Sequence, residues 1–390
     1  MTTFPANRAN ADYPVTPARA YYGDHDYEHF HVFRPSGSFS NSSLLIFCHG
    51  GLGHDPGDAS MQMASGGVAD QIHQDMGWPV VSVELPPVAS NDNINREMTN
   101  VRLWPGPIVS LAKAVMFLKA HYDDPVLWGA GNSIAPGKVW GYGASYGATL
   151  FYQLALMPSG YFAADGLRPL ARSDFYGGFD HRLQGVVGSQ GQIDWTQFAF
   201  DPSVSLGVYG QNIHQVFMFA NQGLEWGTQY GGSPGTTVTP ADGVILPDQA
   251  KKSASPWWWL VHTSDGSAAT EGNIYQPNRN VYFYNLWPQL LPGSSKEDSL
   301  RAGHFSPGTP RVEEDLGLAW YDPHHNFQAV PWALKLEALG ITQRCVAGNA
   351  TTLDGYDDIN ATIAQRSLVT ATRTTPEDVT WWMQNVINVS

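Results

Sequence analysis

Residues 138–157, which decide the fold, read KVWGYGASYGATLFYQLALM. The apolar run Lys138–Tyr142 predicts a short strand, and the apolar spacing of Ala148–Met157 predicts a helix. Between them lies a G-x-S-x-G motif, Gly143–Gly147. Strand and helix approach closely at such a turn, so small residues must flank the serine. The turn also exposes the serine hydroxyl at the carboxyl end of the sheet. The segment therefore predicts a strand, a sharp turn and a helix, with Ser145 as candidate nucleophile.

A second glycine-rich loop precedes this turn in the chain. Leu44–Cys48 is a continuous apolar run, typical of a strand that is covered on both faces. His49-Gly50-Gly51-Leu52-Gly53 follows it directly. Backbone N–H groups reach a developing negative charge only where no side chain intervenes, and a glycine-rich loop meets that condition. The pattern predicts an oxyanion hole, although by itself it is also typical of an ordinary turn.

Strand-like and helix-like segments alternate around these motifs. The further predicted strands are His29–Phe33, Pro79–Leu85, Gln184–Gly188 and Trp257–His262. The further predicted helices are Ser60–Met76, Ile108–Tyr122, Asn278–Leu291, Val330–Leu339 and Pro376–Asn388. This alternation predicts an α/β fold with a doubly wound, mostly parallel sheet. Within a single domain over residues 1–390, we expect a cap or insertion at 195–255 and a C-terminal extension with helices at 305–390.

The order of apolar strand, HGG loop and GxSxG turn resembles the α/β-hydrolase family, particularly its esterases and its polyester- or lactone-cleaving members. The resemblance is specific over residues 27–160 and loose beyond them. It implies hydrolysis of a carboxylic ester through an acyl-enzyme, with Ser145 as nucleophile and no metal or organic cofactor. It also implies an oxyanion hole made by the N–H of Tyr146 and that of Gly51 or Leu52. His49 would then organise the loop.

The family further implies an acid and then a histidine after the nucleophile. Asp265 is the predicted acid, because it follows the apolar run Trp257–His262 in a polar turn. Asp194, at the end of an earlier strand-like run, and Glu225, in the cap-like segment, are weaker candidates.

The predicted base is His304, because Gly303-His304-Phe305 resembles the loops that carry the base in this family. The rivals are His324 and His325, which precede a predicted helix. Residues 333–346 resemble the helix–strand pair that usually precedes the base, yet no histidine follows His325. This is a departure from the family pattern.

Composition excludes some classes of function. The formal net charge is −14, with 35 acidic residues against 21 lysines and arginines, and no basic cluster is present. Nucleic acid is therefore not an expected partner, whereas a small-molecule or polymeric ester is. No segment resembles a signal peptide or a membrane span, so we expect a soluble protein, cytoplasmic in preference to secreted.

Two other interpretations of the motifs stay open. A serine peptidase or amidase would use the same motifs. A non-catalytic binding protein could keep the hydrolase scaffold without a working base.

The segment Asp24–His31 is rich in histidine and carboxylate, but it lacks the separated ligand pairs of a zinc site. We therefore expect a solvated edge there and no metal.

Overall fold

The computed structural model describes residues 18–22, 28–50, 67–84, 106–157, 178–193, 255–261, 278–287, 329–347, 357–358 and 375–389. The strands are β1 (Ala18–Tyr21), β2 (His29–Phe33), β3 (Ser42–Cys48), β4 (Val80–Val83), β5 (Ile134–Ala144), β6 (Gly185–Ser189), β7 (Tyr282–Trp287), β8 (Gln343–Ala347) and β9 (Asp357–Asp358). The helices are α1 (Val68–Met76), α2 (Gly106–Ala120), α3 (Pro125–Trp128), α4 (Tyr146–Leu156), α5 (Pro256–Val261), α6 (Ala329–Ala338) and α7 (Thr375–Asn385).

The strands form one nine-stranded sheet in the order β1-β2-β4-β3-β5-β6-β7-β8-β9. Every pair from β4 to β8 is parallel. Antiparallel pairing is confined to β1, β2 and β9, towards the two edges. Since β5 lies between β3 and β6, the segments that follow these three strands emerge side by side at the carboxyl edge of the sheet.

Apolar side chains cover the sheet on both faces, and each face has its own hydrophobic core. The core on one face includes Leu111 of α2, Leu150 of α4 and Trp332 of α6. The core on the other includes Ile72 of α1 and Trp382 of α7. Helices on both faces of a mostly parallel sheet make a doubly wound α/β fold, which confirms the predicted α/β class.

Most predicted elements are confirmed within one to four residues at each end, and β2 has the bounds that the sequence predicts. Of the helix predicted over Ser60–Met76, the part from Val68 is confirmed, and residues 60–66 lie outside the described residues. Two predictions are wrong. Trp257–His262, predicted as a buried strand, falls on the helix α5. A six-residue apolar run has no period that separates a strand from a buried helix. Residues 256–261 pack against α4. As a helix, this segment forms backbone hydrogen bonds within itself.

The helix predicted over Asn278–Leu291 is also wrong, because this segment contains the strand β7. Phe283 and Tyr284 are both fully buried, on opposite faces of the sheet. A parallel strand that is covered on both faces shows no alternation of polar and apolar residues. Its sequence therefore has the same appearance as that of an apolar helix.

The two regions predicted to lie outside the core differ in what can be described. Of the proposed cap at 195–255, only residue 255 is described. The segment 305–390 contributes α6, β8, β9 and α7, and β8 is a parallel strand of the central sheet. No helix in the described part of the chain has both the length and the apolar character needed to cross a bilayer.

The described part of the histidine-rich segment, residues 28–31, is not a solvated edge, so the expectation is wrong there; Asp24, His25 and Asp26 lie outside the described residues. His29 and His31 are buried on β2, with ring centroids 6.0 Å apart, because β1 covers the outer side of that strand. Glu28 is buried beside them and pairs with Lys113 of α2. Among the described residues, no three histidine, cysteine or carboxylate side chains form a group that could hold a metal ion.

Candidate active site

Ser145 occupies the sharp turn between β5 and α4. Its backbone has φ 53° and ψ −121°, a region that residues other than glycine rarely adopt. The Ser145 N–H donates a 2.8 Å hydrogen bond to the carbonyl oxygen of Ser189, at the end of β6. The neighbouring strand therefore fixes a backbone conformation that costs on the order of 1–3 kcal/mol.

The glycines of the motif are required by close backbone contacts. A Cβ atom at Gly143 would lie 2.4 Å from the backbone nitrogen of Ala148. A Cβ atom at Gly147 would lie 2.5 Å from the carbonyl oxygen of Cys48. Real Cβ atoms do not approach backbone so closely, so only glycine lets α4 pass this near to β5 and to the end of β3.

The glycine-rich loop after β3 begins directly against this turn. Cys48 is the register partner of Gly143. A Cβ atom at Gly50 would lie 3.0 Å from Ser145 Cβ, so the loop backbone touches the nucleophile turn. The adjacent Gly51 and Leu52, the predicted oxyanion donors, lie outside the described residues.

Tyr146, the other predicted oxyanion residue, is the first residue of α4. The N–H groups of the first helical turn point towards the N-terminus, where the helix dipole is positive. The Tyr146 side chain is buried, and burial raises the pKa of its phenol, so the ring carries no charge next to Ser145. The group of Tyr146 that is relevant at this turn is its backbone N–H, at the start of α4.

His49 and Glu84 form a buried pair behind the glycine-rich loop. His49 Nε2 lies 2.9 Å from Glu84 Oε1, and His49 Nδ1 lies 2.8 Å from the carbonyl oxygen of Gly50. The side chains are 8% and 1% exposed. Both ring nitrogens are occupied, so in this arrangement His49 ties the loop to the end of β4 and does not face Ser145 as a base.

We expect Glu84→Ala to lower the free energy of unfolding by about 1–3 kcal/mol, because it leaves a buried imidazole without its acceptor. Glu84→Gln keeps an oxygen at this position and should lose less. Denaturant-induced unfolding of the two variants and the native protein measures the difference. An alanine variant as stable as the glutamine variant would mean that the pair does not hold the loop.

A second buried group contacts Ser145 from the opposite side. Gln192, just after β6, donates from Nε2 to Ser145 Oγ over 3.4 Å. Its backbone N–H donates to Thr149 Oγ1 over 2.7 Å, and that hydroxyl donates to Gln192 Oε1 over 2.9 Å. Thr149 of α4 therefore contacts both the backbone N–H and the side-chain oxygen of Gln192.

The remaining predicted site residues are not described. Asp265, His304, His324 and His325 lie outside the described residues, as do the weaker acid candidates Asp194 and Glu225. Because α5 is a helix, the reason for choosing Asp265, that it follows a late strand, does not hold.

Sequence reasoning did not identify Glu84 or Gln192 as site residues. Glu84 carried a signal, since it is a lone charge at the end of an apolar strand that leads to the carboxyl edge. Gln192 carried none, because its role depends on a contact with residues more than forty positions away.

Neither a protein-family model nor a curated protein matches this chain. A butyrate-bound esterase from Thermogutta terrifontis, a Planctomycetes species, has 10% sequence identity and a TM-score of 0.43, over 86% of this chain and 84% of that one. A truncated carbohydrate esterase from gut microbiota has 11% identity and a TM-score of 0.44, over 88% and 92%. An esterase from the archaeon Pyrobaculum calidifontis has 15% identity and a TM-score of 0.41, over 82% and 70%. The chemistry of the site has to follow from this chain's own residues.

Proposed function

We propose that this protein is a serine hydrolase that cleaves a carboxylic ester through an acyl-enzyme on Ser145. The observation that carries the proposal is the backbone of Ser145, held at φ 53° between a parallel strand and a helix that begins at the next residue. Strained non-glycine backbone persists where the surrounding structure imposes it, and it concentrates at functional sites.

The surroundings of Ser145 suit acyl transfer. In this reaction the serine oxygen attacks the ester carbonyl carbon, and negative charge develops on the carbonyl oxygen. We propose that the backbone N–H of Tyr146 and that of Gly51 or Leu52 receive this oxygen. Two observations support this proposal: α4 begins at Tyr146, directly after the serine, and Gly50, the residue before Gly51, lies against Ser145.

The general base is proposed to lie in the segment 288–328. This segment follows β7, which runs parallel to β5, so the chain leaves β7 at the same edge as Ser145. The segment contains His304, His324 and His325. For the acid, Asp265 stays a candidate, and Asp194 gains support because it comes two residues after Gln192, which contacts the serine oxygen.

We expect alanine at His304 to lower kcat/KM by at least about 10³-fold, because an unassisted serine hydroxyl is a weak nucleophile. The matched controls His324→Ala and His325→Ala should retain most activity. The measurement is steady-state hydrolysis of an activated ester by all three variants. If one of the controls is the inactive variant, the base is that residue and His304 has no catalytic role.

The class of reaction is tested with a matched pair of substrates, a p-nitrophenyl ester and the anilide of the same acid. We expect kcat/KM to be higher for the ester than for the anilide. A preference for the anilide would make the protein an amidase. The absence of turnover of either substrate, together with the absence of covalent labelling by a fluorophosphonate, would favour a non-catalytic binding protein on this scaffold.

A further inference from the structure

The contact between Gln192 and the serine oxygen has a position of its own in the fold. In the sheet, β5 lies between β3 and β6. Gly50, which follows β3, therefore lies on one side of Ser145, and Gln192, which follows β6, lies on the other. The register supports this placement, since Ala144 pairs with Ser189, three residues before Gln192. The amide is thus separate from the proposed oxyanion donors.

Gln192 is buried and is held in place by Thr149 of α4. Gln192 is 2% exposed and Thr149 is 1% exposed. The Thr149 hydroxyl accepts from the Gln192 backbone and donates to its side-chain oxygen. With the oxygen of the amide fixed on Thr149, the NH₂ group is directed at Ser145 Oγ.

We propose that Gln192 is a catalytic residue, which donates a hydrogen bond to Ser145 Oγ while that oxygen carries negative charge. The proposal rests on the serine hydrolase function proposed above. The 3.4 Å separation is long for a hydrogen bond. Catalytic hydrogen bonds often have this length without substrate and shorten when charge develops. A hydrogen bond to an ionised oxygen is about twice as strong as one to a neutral oxygen.

The donor acts in both halves of the reaction. In acylation, the base removes the Oγ proton, the Oγ–carbon bond forms, and the alcohol leaves with the proton from the base. In deacylation, a water adds to the acyl carbon after giving a proton to the base. The Oγ–carbon bond then breaks, and Oγ leaves with the bonding electrons and takes that proton back. Oγ is the nucleophile first and the leaving group later, so a donor on this atom assists both steps.

The decisive variant is Gln192→Met, which keeps the length of the side chain and removes the amide. Gln184→Met is the matched control. Gln184 directly precedes β6, at the end of that strand opposite to Gln192, and its side-chain oxygen accepts a hydrogen bond from Trp140. The measurements are the second-order rate of inactivation by a fluorophosphonate, the acylation and deacylation rates on an activated ester, KM, and the thermal midpoint.

Gln192→Met should slow inactivation, acylation and deacylation by about 10- to 100-fold, with KM little changed. Gln184→Met should keep native rates. Native rates in Gln192→Met would overturn the proposal, and so would equal losses of rate and thermal midpoint in both variants. If the native protein itself is not labelled, the proposed function fails, and the inference fails with it for that separate reason.

A second variant covers the case in which Gln192→Met does not fold. Thr149→Val is close to isosteric and removes the hydroxyl that orients the amide, while the amide itself stays. We expect a severalfold slower inactivation by the same fluorophosphonate. An unchanged rate in a folded Thr149→Val protein would contradict the proposal, since an unoriented amide would then serve as well as an oriented one.

Discussion

Ser145→Ala should abolish ester hydrolysis, with a loss in kcat/KM of at least about 10³-fold. The substitution removes the only atom that forms the proposed acyl bond, and the members of such a site act as a unit. The backbone strain at φ 53° is imposed by the bond to Ser189 and by the flanking glycines, so it stays in the variant. The thermal midpoint should therefore change by no more than a few degrees.

Ser42→Ala is the matched control for this variant. Ser42 begins β3 at the amino edge of the sheet, away from the turn, and its hydroxyl bonds only locally, to the carbonyl oxygen of Ser43. Its activity should equal that of the native protein. Substantial turnover by a folded Ser145→Ala protein would place the chemistry on another residue.

Gly147→Ala is expected to damage both stability and activity. Its Cβ would lie 2.5 Å from the carbonyl oxygen of Cys48 and 2.6 Å from that of His49, which are backbone atoms and not flexible side chains. Relief requires α4 to move away from the end of β3. Overpacking of this kind costs about 1–3 kcal/mol or more in free energy of unfolding.

The movement should also separate Ser145 from the loop that begins at Gly50. A displacement of about 1 Å in such a site can cost 10²-fold in rate. The result would run against helix propensity, since alanine in a helix is favoured over glycine by about 1 kcal/mol. Gly137→Ala is the matched control, because Gly137 is in β5 and a Cβ there meets nothing within 4 Å. Equal stability and activity of the two variants would show that the close contact at Gly147 does not exist.

The parts of the fold that the sequence predicted have local determinants. The turn at Ser145 is predictable because the glycines, the preceding strand and the following helix are adjacent in the chain. β2 is predictable from the weak alternation of polar and apolar residues over His29–Phe33, and β3 from a short apolar run. The class of fold then follows from the alternation of such segments, without any knowledge of which strands pair.

The misassigned parts lack local information. Trp257–His262 and Asn278–Leu291 are apolar in ways that suit either a strand or a helix, and only their neighbours decide between the two. α5 lies beside α4. The Trp257 N–H at the start of α5 donates to the carbonyl oxygen of Ile193, in the segment after β6. β7 forms because β6 and β8 satisfy its backbone on both sides.

Site residues that act through distant contacts were likewise not predictable. The Glu84–His49 pair joins the ends of β4 and β3, and the Gln192 contact joins the segment after β6 to the turn after β5. The order of strands in the sheet creates both contacts. That order is not encoded in any short pattern. Glu84 has a local signal, a lone charge at the end of an apolar strand, but its pairing with His49 has none, and neither has the Gln192 contact.

Reaction of the native protein with a fluorophosphonate, followed by intact-mass and peptide mass spectrometry, tests the role of Ser145 most directly. The expected result is one adduct per chain, located on Ser145 and absent from Ser145→Ala. An unmodified native protein, or an adduct on another residue with Ser145 unmodified, would contradict the assignment of Ser145 as the nucleophile.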